Sequence, residues 1–134
     1  MHPRLVHVAL KVDDLQSTSD FWKNLLGFKQ TGISRKAETN THTSLHLSDG
    51  AFDLALMKYD SENAPEAQLA GRGPCIHHIG IQVEDPLSYV DRLKAAGCEI
   101  LSEPGEIPVK FRDPGGCVAE VAKFKKYIKG SSLT

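Results

Sequence analysis

Residues 76–86 read IHHIGIQVEDP, and residues 5–15 read LVHVALKVDDL. Set one above the other, they bring His7 onto His78, Val12 onto Val83 and Asp14 onto Asp85, while Val8 and Ile79, Leu10 and Ile81, and Asp13 and Glu84 agree in kind. Both stretches alternate apolar residues with others at a period of two, the pattern of a half-buried strand. A strand that recurs 71 residues later, measured from His7 to His78, marks the chain as two copies of one supersecondary unit.

The parallel runs on past the strands. Residues 17–26 end at Gly27 and residues 87–96 end at Gly97, each glycine suiting the left-handed position that closes a helix. Leu15, Thr18, Phe21, Trp22, Leu25 and Leu26 recur at helical spacing in the first copy, as do Val90, Leu93 and Ala96 in the second. Phe21 and Trp22 are read as core or interface packing. Strand-like runs follow at 28–33, 43–47 and 52–58, with a turn at Ser48-Asp49-Gly50, and again at 99–102, 109–112 and 118–124, with a turn at 113–116. Each half therefore reads β-α-β-β-β. The expected fold class is α+β: two tandem βαβββ modules, 5–59 and 75–124, forming a cup-shaped mixed sheet with the helices outside. A polar linker at 60–74, in which Asn63 is placed to cap a short helix through Leu69, joins them within a single domain over 1–134, and 125–134 is a polar tail.

Composition narrows the partners. With 25% charged residues and a formal net charge of -1, the chain has no electrostatic footprint for nucleic acid, which leaves small molecules as the expected ligands. Three cysteines, Cys75, Cys98 and Cys117, are odd in number and lack CxxC spacing, as in a reducing compartment. The N-terminal apolar run is broken by His7 and Lys11, too short for a leader or a membrane span, so the expected location is cytoplasmic, with no membrane contact.

Strand alternation then assigns faces. If Val6, Val8, Leu10 and Val12 meet the helix, His7, Ala9 and Lys11 face the open side, and by the repeat so do His78 and Gly80, which leaves His77 on the opposite face as a structural neighbour. On the last strand Glu120 alternates inward. A carboxylate in so apolar a run either pairs with Lys110 or Arg112 or binds a cation. Two histidines and a carboxylate on inward positions form a set that holds one divalent transition metal and leaves sites open for substrate; Fe, Mn, Ni, Co and Zn all suit it. His46, inward before the Ser48-Asp49-Gly50 turn, is the candidate acid or base. Lys11, Gln82, Lys110 and Arg112 are the candidate substrate contacts, and an anionic or enolate-forming ligand is what such cations beside a metal would favour.

These residues, in HVALKVDDL (7–15), FWKNLLGF (21–28), HIGIQVED (78–85) and FRDPGGCVAEV (111–121), resemble the vicinal oxygen chelate superfamily, which includes glyoxalase I, extradiol dioxygenases, methylmalonyl-CoA epimerase, fosfomycin-resistance thiol transferases and bleomycin-resistance proteins. The resemblance implies a homodimer, with modules paired within or across chains, and a metal ligated by His7, His78 and Glu120, the carboxylate also being a candidate catalytic group. It implies a lyase, isomerase or dioxygenase that polarises a small oxygenated substrate chelated to the metal through adjacent oxygens. The alternative within the family is a metal-free sequestering protein of the bleomycin-resistance type. One family position departs: Ala55 or Leu56, depending on how the turns align, stands where a fourth protein ligand is often found, with His46 or Asp53 as replacement candidates.

Overall fold

A computed structural model describes residues 2–123 of the chain, so Phe124, expected to end the last strand, and the tail 125–134 lie outside the described residues. The first half runs β1 (Arg4–Lys11), α1 (Leu15–Asn24), β2 (Lys29–Lys36), β3 (His42–Ser48) and β4 (Asp53–Tyr59). The second runs β5 (Cys75–Val83), α2 (Val90–Ala95), β6 (Val109–Arg112) and β7 (Val118–Lys123). All seven strands belong to one mixed sheet in the order β2-β3-β4-β1-β5-β7-β6. Its middle is the antiparallel pair β1/β5, and each of these strands has a parallel neighbour from its own half, β4 for β1 and β7 for β5.

Local chemistry sets the element ends. Asp14 accepts from the Ser17 amide at 3.0 Å, which starts α1 at Leu15, two residues before the expected start. Pro86 opens a 3-10 turn over Pro86–Tyr89, so the second helix is shorter than the expected 87–96. The expected strand at 99–102 is reduced to one bridge, Ile100 to Phe111, flanked by backbone bonds from Leu101 N to Lys110 O and from Arg112 N to Glu99 O. Pro104 and Pro108, which lack an N–H, and Gly105 leave that ladder nowhere to extend. In the linker, the expected helix capped by Asn63 is a single 3-10 turn, Glu66–Gln68, preceded by Pro65.

Both helices pack on the same side of the sheet as the larger apolar clusters. Leu45, Leu47, Leu54 and Leu56 form one, backed by Val8, Leu10, Leu15 and Trp22; Val83, Val109, Phe111, Ala119 and Val121 form the other, backed by Val90 and Leu93. Trp22 is thus core packing, whereas Phe21 is half exposed. On the opposite face the linker folds back, Ala67 joining Ala9, Ala55, Met57 and Tyr59. Among the described residues no helix is long and apolar enough to cross a membrane.

Two β-bulges break the alternation of the central pair, and they fall at equivalent places of the repeat. Leu5 pairs with Ile81 and His7 with Gly80, which makes Val6 the extra residue; Ala9 pairs with His78 and Leu10 with Ile76, which makes His77 the extra one. Val6 consequently packs against Ala122 instead of lying under the helix. His77 turns inward beside His78, while Ile76 is left 66% exposed on the outer side. The expectation that His77 lies on the opposite face is corrected by this bulge: one inserted residue lets two consecutive side chains share a face.

Candidate metal centre

The faces turned away from the helices line a cleft of about 880 Å³, walled by β2, β3 and β4 on one side, the linker at Pro65, Glu66 and Leu69 on another, and the 101–108 loop on a third. His7, His78 and Glu120 meet at its base. They come from β1, β5 and β7 of one chain.

The geometry is that of converging electron-pair donors. His7 Nε2 lies 3.1 Å from His78 Nε2; the Glu120 carboxylate is 3.2 Å from His78 Nε2 and 3.9 Å from His7 Nε2. All three residues are buried, and one donor atom from each falls within 4.8 Å of the others. The Nδ1 atoms are committed elsewhere: His7 Nδ1 lies 2.5 Å from Asp53 Oδ2, and His78 Nδ1 lies 2.8 Å from His77 Nδ1. Two Nε2 atoms and a carboxylate crowded together in a buried pocket form an arrangement that a cation between them stabilises. Burial, with the positive Lys110 and the neighbouring His7, His77 and His42, holds the His78 pKa well below the ordinary histidine value, so the ring stays neutral and fit to ligate. The residues therefore fit a divalent ion.

Asp53 ties a second histidine into the site. It also accepts from His46 Nδ1, at 2.9 Å and 3.1 Å. Burial works to raise this carboxyl, but the hydrogen bonds and charge of His46 and His7 outweigh it and leave Asp53 below the usual aspartate value. His46 itself lines the cleft with its side chain 28% exposed.

Of the four candidate substrate contacts, only Lys110 lines the cleft. Its Nζ is 3.0 Å from Glu66 Oε1 and 4.0 Å from Glu120 Oε1. Lys11 is directed into the linker, where Nζ donates to Glu62 Oε1, Ala67 O and Gly71 O at 2.6–2.7 Å. Arg112 donates to Leu69 O and Gly116 O, and Gln82 is buried away from the cleft lining. Glu66 is not among the candidates that the sequence offers. It bonds Tyr59 Oη and Lys110 and carries the carbonyl that receives His77 Nε2, yet in sequence it is one polar residue of a linker. Asp53 enters the sequence reading only as a replacement ligand; continuing the alternation of Ala55 and Met57 back by two residues is the signal that could have placed it beside His7.

The profile of the Glyoxalase/Bleomycin resistance protein/Dioxygenase superfamily matches residues 4–121. An ethylmalonyl-CoA/methylmalonyl-CoA epimerase of Cereibacter sphaeroides is 33% identical over 130 residues, covering 88% of this chain and 96% of that one. A lactoylglutathione lyase of Neisseria meningitidis is 26% identical over 139 residues, covering 91% of each. Among solved structures, the methylmalonyl-CoA epimerase of Mycobacterium tuberculosis superposes with a TM-score of 0.73 at 22% identity, over 89% of this chain and 86% of that one. A hypothetical protein from Bacillus halodurans C-125 superposes at 0.77 and 21% identity, over 94% and 97%. At these identities the structural likenesses establish the fold.

Proposed function

Since the chain belongs to the Glyoxalase/Bleomycin resistance protein/Dioxygenase superfamily, we propose that it is a metal-dependent enzyme of the isomerase or lyase type that moves a proton beside a carbonyl group of a small oxygenated substrate. The observation that carries this reading is the convergence of His7, His78 and Glu120 at the base of the cleft. The names of the relatives, an epimerase of malonyl-CoA esters and a lyase, support the reaction class. Inverting a carbon between two carbonyls requires its proton to be removed and returned.

His7, His78 and Glu120 would hold the ion, which when bound would supply a Lewis acid to a carbonyl oxygen of the substrate. The chain supplies the proton chemistry. Asp53 fixes His46 through Nδ1, which leaves Nε2 of a cleft-lining ring to accept a proton from the substrate and return it. Lys110 offers its ammonium to the oxyanion that forms. The same residues speak against the sequestering alternative, which needs no set of buried donors. We place the assembly as a homodimer, because Leu5 and Ile76 remain exposed on the outer face of the central strands; light scattering of the purified protein tests that placement.

Two measurements test the main reading. Protein purified without chelators should carry one divalent ion per chain, and it should exchange the α-proton of methylmalonyl-CoA or a small α-hydroxyketone with deuterium oxide, losing that exchange on chelation. A chain that carries no metal and exchanges neither substrate class overturns it.

A further inference from the structure

His7 and His78 occupy equivalent places in the two halves, and both turn Nε2 toward the cleft. A buried imidazole that presents a lone pair on Nε2 carries its proton on Nδ1, and that proton needs an acceptor. In the first half the acceptor is Asp53, which pairs directly with His7 in the β1/β4 ladder. The second half has no such residue. Ala119 pairs with Ile79 and Glu120 with Gly80, so the residue of β7 that falls beside His78 is Val118, whose side chain has no polar atom.

His77 stands in for it. The bulge brings its Nδ1 to 2.8 Å from His78 Nδ1 and its Nε2 to 2.7 Å from the Glu66 carbonyl oxygen, with the side chain 1% exposed. The equivalent bulge residue of the first half is Val6, which is apolar and packs on Ala122. Each half thus supplies one support for its histidine and leaves the other half's position apolar: Asp53 against Val118, and His77 against Val6.

The proton positions follow in order. A carbonyl oxygen only accepts, so Nε2 of His77 carries a proton and gives it to Glu66 O. Two ring nitrogens 2.8 Å apart bond only when one carries a proton and the other a lone pair, and His77 already carries its proton on Nε2, so its Nδ1 is the lone-pair partner. That lone pair accepts from His78 Nδ1, and His78 is left with its own lone pair on Nε2, the atom that faces His7 and Glu120. From these contacts we infer that His77 is a positioning residue of the metal centre, fixing the tautomer and orientation of His78 and fastening both to the linker at Glu66. The effect on metal affinity rests on the proposed centre; the tautomer of His78 does not.

Nitrogen NMR of the histidine rings in the metal-free protein reads the tautomer directly, and titration with Zn²⁺ or Co²⁺ reads the affinity. In the wild type His78 is expected as the Nδ1–H form. His77→Phe keeps the bulk but removes the acceptor; the Nδ1–H preference should be lost and metal affinity should fall about 10- to 100-fold. His77→Asn, whose amide oxygen offers an acceptor on a shorter side chain, should recover most of both. A wild-type His78 in the Nε2–H form, or a His77→Phe protein that keeps both the tautomer and the affinity, overturns the inference. Where His77→Phe does not fold, the wild-type tautomer and the Asn variant decide it. Should the wild type bind neither ion, the proposed centre fails, and the ring spectra still decide the role of His77.

Discussion

Ala55 lies beside Ala9 on the parallel pair β1/β4 as Glu120 lies beside Gly80 on β5/β7. Because Ala9 and Gly80 are equivalent in the repeat, Ala55 holds in the first half the place from which the second half supplies a carboxylate. Register thus resolves the ambiguity between Ala55 and Leu56; Leu56 faces the helix-side core.

Ala55→Glu should therefore add a fourth donor. Metal affinity is expected to rise by at least about tenfold, roughly 1.4 kcal/mol, while the metal-free protein loses about 2 kcal/mol or more, because an unpaired carboxylate is then buried. Calorimetric metal titration and urea unfolding of the metal-free variant read the two effects. Unchanged affinity would mean that position 55 does not reach the centre.

Metal binding to the native state alone should also stabilise it. At a free ion concentration of 100 times Kd the gain is about 2.7 kcal/mol, visible as a rise in melting temperature that a chelator reverses. His78→Ala and Glu120→Ala should each erase that rise. A rise that persists in both variants would place the ion elsewhere.

Much of this centre was legible because a strand's period is two and the repeat supplied a second copy of it. His7, His78, Glu120 and His46 follow from alternation, and all four line the cleft. What alternation cannot express is an inserted residue: the bulge at His77 leaves no mark in a pattern of apolar and polar residues, and it reverses the face of one side chain. Lys11 shows a second limit. Its face was read correctly, but what covers that face is the linker, whose path back over Ala9 and Met57 depends on long-range contacts that a run of polar and glycine residues does not encode.

Stability of the metal-free protein should depend on pH in one direction. His77 and His78 have folded pKa values below the unfolded value of about 6.5, chiefly through burial, so below that pH the unfolded chain takes up protons that the native state refuses. Burial raises the carboxyls of Asp53 and Glu66, but their partners pull both net below the usual range, which adds a further loss as the pH falls past about 4.5. Urea midpoints measured between pH 8 and pH 3.5 are expected to stay level to about pH 7 and then to decline throughout. A maximum near pH 5 would contradict the neutral-histidine assignment.

Lys11 is 3% exposed, and its ammonium has all three protons placed, on Glu62, Ala67 O and Gly71 O. Lys11→Met keeps most of the stem's bulk and removes the charge, which leaves two carbonyls of the linker without their donor, while Glu62, at the surface, turns to water. Loss of hydrogen bonds from a charged donor sets the expected cost at about 2 kcal/mol. The loss should be local as well as global. Segment 66–71 contacts Lys11 directly, so its amides should show the largest increase in deuterium exchange in the variant, while the strand amides of β3 and β4 should speed up only in proportion to the loss of overall stability. A variant with wild-type stability and unchanged exchange over 66–71 would show that the linker is held without Lys11, by Arg112 at Leu69 and by Lys110 and Tyr59 at Glu66.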